Sequence, residues 1–295
     1  MFISFRAGLK GTGRRGKQRL VMLTFLFTTL LTGLLPVAGC DGDATNGEAT
    51  TQGEGIQLEA GADIGTVESG AATGTDGFSA GDLPIEAGRQ LEYQANRPGT
   101  TTPVSFSLEG PWEFTNGSQE ATLKVSMQPT DTSPDREQFP EATAVAASSW
   151  ASAPGNTEYN FQGKDDKTWI AYGRVTPEGR VITFSSPSRA LVFPLAAGDS
   201  WVDIYTETGD GKPTVVTAEN TIVGNGLLTV PAGTFNAWLL QTRVTAKSRG
   251  VTTTTIDYSW FVPGIGRAAE IISQPDERRE VFTTARAFYR LKSYR

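Results

Sequence analysis

Apolar and polar residues alternate along most of the C-terminal two-thirds of the chain. Val104-Ser105-Phe106-Ser107-Leu108-Glu109 keeps strict period two, the mark of a half-buried strand. Ala121 to Met127 does the same, with Leu123, Val125 and Met127 on one side and Thr122, Lys124 and Ser126 on the other. Further β-prone runs are 169–175, 180–184, 201–206, 215–223, 235–244, 252–262, 267–272 and 280–291. Turn-forming clusters separate them: Pro177-Glu178-Gly179, Gly209-Asp210-Gly211, Gly224-Asn225-Gly226 and Pro263-Gly264. Helical periodicity is confined to a weak trace at 141–147. The pattern predicts an all-β, antiparallel body over 83–295, and its long later strands predict a strongly curved open sheet or half-barrel.

In the run from Thr252, Ile256, Tyr258, Trp260 and Val262 share a face, and Thr253, Thr255, Asp257 and Ser259 share the other. One buried and one wet face is the expectation. The proline-rich excursion over 129–156 reads as a flap, or as a sub-boundary within one domain.

No such period runs through the first eighty residues. Positions 1–39 hold six basic residues and no acidic one, whereas 41–88 hold ten acidic residues and no basic one. The body from 89 onward is nearly neutral, with 20 basic and 22 acidic residues. It lacks the basic footprint of nucleic-acid binding. The Gly-, Ala- and Thr-rich acidic stretch 40–82 cannot bury enough apolar surface to offset its ordering entropy, so it reads as a disordered tether.

The basic leader and the apolar run Leu20–Leu35 follow the order of a secretory signal. Val37-Ala38-Gly39-Cys40 comes next, and Cys40 is the only cysteine. This tetrad resembles the lipobox of bacterial lipoproteins. The resemblance implies that 1–39 is a signal peptide and that Cys40 carries a diacylglyceryl group, with a further acyl chain such as palmitate on its new amino terminus. Two or three chains, at about 0.8 kcal/mol per buried methylene, anchor stably. It also implies a membrane-attached protein of the cell envelope, with the body on the periplasmic or extracellular side. Asp41 follows the cysteine, a signal whose reading differs between bacterial groups, so inner and outer membrane both stay open.

The chain has no histidine. That excludes Ser-His-Asp and Cys-His catalysis and imidazole-bound zinc. Asp41-Gly42-Asp43-Ala44-Thr45-Asn46 departs from a calcium loop at Thr45 and Asn46. No metal and no cofactor is implied.

The candidate acids are Asp165-Asp166, Glu207 and Asp210, all expected to face solvent at turns, with Asp257 on the wet face of its strand. Glu270 is expected to lean toward a cleft without a legible partner. Six tryptophans offer more, and Trp201, Trp238 and Trp260, all in predicted strands, form a candidate ligand face.

Three stretches, "LVFPLAAGDSW" (191–201), "LLTVPAGTFNAWLLQT" (227–242) and "YSWFVPGIGRAAEI" (258–271), resemble a loosely defined group of uncharacterised bacterial envelope proteins. The resemblance implies a curved antiparallel sheet of the kind also seen in periplasmic lipoprotein carriers, and it brings no activity. The expected function is a lipid-anchored, non-catalytic binding or structural domain with an envelope protein, glycan or lipid as partner. The alternatives are a carrier or sensor of a hydrophobic ligand in the concave face, and a carboxylate-based glycan-active enzyme.

Overall fold

The structure, a computed structural model, describes residues 77–115, 120–209 and 213–295. The lipobox, Cys40, the calcium-like loop and Asp210 lie outside the described residues. Fourteen strands follow in chain order: β1 (Gln90–Asn96), β2 (Thr102–Pro103), β3 (Trp112–Glu113), β4 (Glu120–Gln128), β5 (Ala144–Trp150), β6 (Thr157–Lys164), β7 (Thr168–Val175), β8 (Val181–Val192), β9 (Ser200–Thr208), β10 (Thr214–Val230), β11 (Gly233–Ser248), β12 (Val251–Val262), β13 (Gly266–Ser273) and β14 (Thr284–Tyr294). No helix among the described residues is long and apolar enough to cross a membrane.

The all-β antiparallel expectation is met, and the curvature goes to completion. From β4 to β14 each successive strand pairs with the next, β1 pairs with β4, and β1 also pairs with β14. Twelve strands therefore close a barrel, which leaves no edge in the ring. The excursion over 129–156 is not a domain boundary. It supplies β5, where a helical trace was expected, and residues 78–295 form one compact unit.

The packing of the body also includes residues before the expected boundary at 83. Phe78 is buried and stacks on Phe193 at 5.9 Å between ring centroids. Leu195 donates its N–H to the Phe78 carbonyl, Gly264 donates to that of Asp82, and Lys164 Nζ reaches that of Leu83 at 2.6 Å. The segment 77–85 thus lies across one rim of the barrel.

The alternating stretch 104–109 is not a strand. It runs as a strap along the outside of the wall, and its period two serves packing instead of pairing. Phe106 meets Tyr258, Trp260 and Phe282 at 5.0, 6.4 and 5.3 Å. The strap ends in β3, which pairs in parallel with the upper part of β10. There the long β10–β11 hairpin folds back over the wall, with Ala232 donating to the Leu291 carbonyl and Phe235 against Tyr294. Trp260, fully buried, sits between wall and strap against Trp112 and Phe114 at 5.9 and 4.9 Å. The apolar core therefore lies on both sides of the wall.

One glycine permits the bulge in β7. Gly173 has φ +152°, and a β-carbon there would stand 2.3 Å from the Ile182 carbonyl oxygen and 2.5 Å from the Phe139 ring. No side chain fits.

Candidate functional site

Directly opposed residues of an antiparallel pair point to the same face. Trp260, Ala269 and Arg290 lie in one row and Tyr258, Ile271 and Phe288 in the next, all on the outer side under the strap. Asp257, Ser259 and Glu270 therefore face inward, together with Thr242 and Asn220 farther along the rows. The face of β12 expected to be wet is the inside of the barrel.

That inside carries two groups of paired charge among its apolar side chains. Arg174 donates from Nη1 and Nη2 to Glu207 Oε1 and Oε2 at 2.8 and 3.1 Å, and each side chain is 6% exposed. Burial opposes the Arg174 charge. The Glu207 carboxylate and its hydrogen bonds, helped by Glu158, outweigh that cost and raise the guanidinium's pKa. Beside this pair Asn160 Nδ2 donates to Glu158 Oε1 at 3.0 Å.

The second group is on β12 and β13. Arg267 Nη1 donates to Glu270 Oε1 at 2.5 Å, and Ser259 Oγ donates to the same oxygen at 3.3 Å. Tyr93 from β1 closes over it, its hydroxyl donating to the Arg267 carbonyl at 2.8 Å, and burial raises its phenol pKa. Burial likewise raises Tyr289, with Glu270 adding to the effect. It lowers Arg286, against which Asp257, Tyr289 and Glu270 act.

A space of about 50 Å³ adjoins the second group, lined by Asn220, Thr242, Asp257, Ser259, Arg267 and Glu270 among others. It has room for a few waters. A larger groove, about 590 Å³, lies on the outer surface where β1, β4, β5 and the end of β14 meet. Glu92, Lys124, Ser126, Tyr159, Tyr294 and Arg295 line it.

The tryptophans do not form one face. Trp201 and Trp238 lie on the inward rows with Asn220 and Phe261, whereas Trp260 points outward beneath the strap. The Trp201 indole donates to the Arg189 carbonyl at 2.9 Å.

The carboxylates also differ from expectation. Asp165 does face solvent at its turn, where the N–H groups of Lys167 and Thr168 hold its pKa down. Glu207 and Asp257 are buried inside the barrel, and Glu270 has the partners that the sequence hid. Among the described residues no cluster of acidic or cysteine side chains is arranged to hold a metal ion.

Arg174 and Arg267 were singled out by nothing in the alternation, because a bulge adjoins each. Ala171 and Gly173 oppose Gln162 and Phe161, so Tyr172 is the extra residue. Ala269 and Arg267 oppose Trp260 and Phe261, so Ala268 is. Each bulge shifts the phase by one and turns an arginine inward.

No family model matches the chain, and no curated protein is similar to it. Two solved structures are distantly similar to it. One is described as a putative lipoprotein from Parabacteroides distasonis, with TM-score 0.40, 10% identity, and coverage of 75% of this chain and 99% of that one. The other is described as a putative exported protein with YmcC-like fold from Bacteroides fragilis, with TM-score 0.34, 13% identity and the same coverage. Neither likeness identifies a family, an activity or a location.

Proposed function

We propose that this protein is a lipid-anchored envelope protein whose barrel binds its partner on the outer surface and carries out no catalysis. The observation that carries the reading is the filled interior. Glu207 and Glu270 are each engaged by an arginine, and the space beside Glu270 suits waters. An acyl chain would need an apolar cavity many times larger, so a hydrophobic carrier is less well supported.

Charged residues stud the outer wall. Lys124, Glu219 and Lys247 are exposed there, as befits a barrel surrounded by water and not lipid. The anchoring then rests on Cys40 in the lipobox. The outer groove at β1, β4 and β5, with two tyrosines among charged and hydroxyl groups, is the place we assign to a partner.

The test has two arms. Fatty-acid labelling and membrane partitioning should both be lost in Cys40→Ala, and unchanged partitioning would overturn the anchor. Photo-crosslinkers at Tyr294 and Lys124 should capture an envelope component that one at Thr252 on β12 does not. Equal capture from all three would remove the groove from the proposal.

A further inference from the structure

The barrel wall is zipped unevenly. Every other junction in the ring keeps at least five backbone pairs, but β8 and β9 share two, Thr183 with Thr208 and Phe184 with Glu207. Beyond them, side chains bridge the strands. Thr206 N–H donates to Ser185 Oγ at 2.9 Å, and Ser186 Oγ donates to the Ile204 carbonyl at 3.3 Å. Arg189 donates its own N–H and its Nε to the two oxygens of Asp203, at 3.0 and 2.8 Å. Its Nη2 reaches the Val202 carbonyl at 2.9 Å, and the Trp201 indole returns to the Arg189 carbonyl.

The cause lies in β8. Thr183 opposes Gly173 and Ser188 opposes Ala171, so four residues, Phe184 to Pro187, stand across from Tyr172 alone. The strand flares outward there, leaving Ser185, Ser186 and Pro187 exposed. Pro187 has no N–H to offer a ladder.

Behind the seam lies the polar interior space, whose lining includes Ser188, Arg189 and Ala190 from β8 beside Ala218, Asn220 and Asp257. We propose that the seam is a lateral gate. The strands part between 185–192 and 200–206, with the Thr183–Thr208 end as hinge and Arg189 on Asp203 as latch, and water and small polar solutes enter the interior there.

Two energetic facts favour opening at this junction. The Arg189 side chain is 42% exposed, so its ion pair is screened and weaker than a buried one. Val202 and Ile204, the outward residues of β9, are already 51% and 65% exposed, so parting the seam on that side uncovers little further apolar surface.

Because Cys40 is the only cysteine, the Cys40→Ala chain is a clean background for thiol accessibility. Single cysteines at Ser188 and Ala218 probe the space behind the gate, and one at Val125, inward on β4, probes the interior away from it. A small methanethiosulfonate reagent should label 188 and 218 faster than 125 under native conditions. Asp203→Asn, or Arg189→Ala as a second latch variant on a half-exposed residue, should raise both rates about tenfold and leave 125 unchanged. Equal labelling at all three sites, or acceleration at 125 together with the others, would mean global unfolding and overturn the gate. Rates at 188 and 218 that neither latch variant changes would overturn it as well.

Discussion

Arg174 and Glu207 face each other inside the barrel through two parallel N–H···O bonds of 2.8 and 3.1 Å. The pair joins β7 to β9, two strands that are not neighbours in the sheet. Removing one member leaves the other charge buried and unpaired, which costs far more than the net worth of the pair. We expect Arg174→Met and Glu207→Gln each to destabilise by about 3–5 kcal/mol. The double variant Arg174→Met/Glu207→Gln should be more stable than their summed effects imply. Urea midpoints of the four proteins check this, and strict additivity would show that the pair does not act as a unit.

Trp260 ties the outer layer to the wall. It is fully buried and meets Phe106, Trp112 and Phe114 of the strap edge-on. Trp260→Ala should cost about 3–5 kcal/mol. It should also loosen the strap before the ring opens, because the ring is held by backbone ladders that the substitution leaves intact. Limited proteolysis should then cut within 97–111 ahead of any site in the barrel strands. Protection of that segment at wild-type level would contradict the packing.

Gly173 makes a sharper case, since its environment leaves no room for a methyl group. A β-carbon would collide with the Ile182 carbonyl and the Phe139 ring, in a backbone conformation that other residues rarely adopt. Gly173→Ala should destabilise by about 2–4 kcal/mol, more than the usual cost of replacing a glycine with φ > 0. Chemical denaturation measures it directly. Phe139→Leu in the same background should recover part of the loss by clearing one of the two clashes.

These residues mark what was legible in the sequence. The antiparallel class and the turns at 177–179 and 263–264 follow from period two and from Gly and Pro placement, whereas β1, β5 and β6 were not expected and 104–109 is no strand. The inside of the barrel was hidden for a specific reason. Extra residues at Tyr172 and Ala268 shift the phase of β7 and β13, so Arg174 and Arg267 turn inward where alternation points them out. Glu207 read as wet beside its glycine-rich turn, Asp257 as wet among Thr and Ser, and Glu270 as unpaired because simple alternation turns Arg267 outward. Trp260 misled in the opposite way. Its outer face is buried, which period two cannot reveal, since that burial depends on the strap from 150 residues earlier in the chain.

The ionisable groups predict a stability plateau with two distinct limits. On the acid side, Glu277 is held down to about 2 by its bonds to the Arg279 side chain and backbone, and Lys292 lowers Glu92. A carboxyl lowered on folding adds stability above its unfolded value of about 4 and loses it as pH falls through the folded one. On the alkaline side, burial raises Tyr258 to about 12, against a hydrogen bond from Gln241, and raises Tyr93 and Tyr289 as well. A phenol raised on folding adds nothing unfavourable below its unfolded value near 10, where both states are neutral. Above it only the unfolded chain gives up the proton, so stability declines as pH rises toward the folded value. Urea midpoints should therefore be level from about pH 5 to pH 9, then fall on both sides. Tyr258→Phe should shallow the alkaline limb and leave the acid limb unchanged. A level midpoint up to about pH 11 would show that these three phenols titrate as freely in the fold as in the open chain.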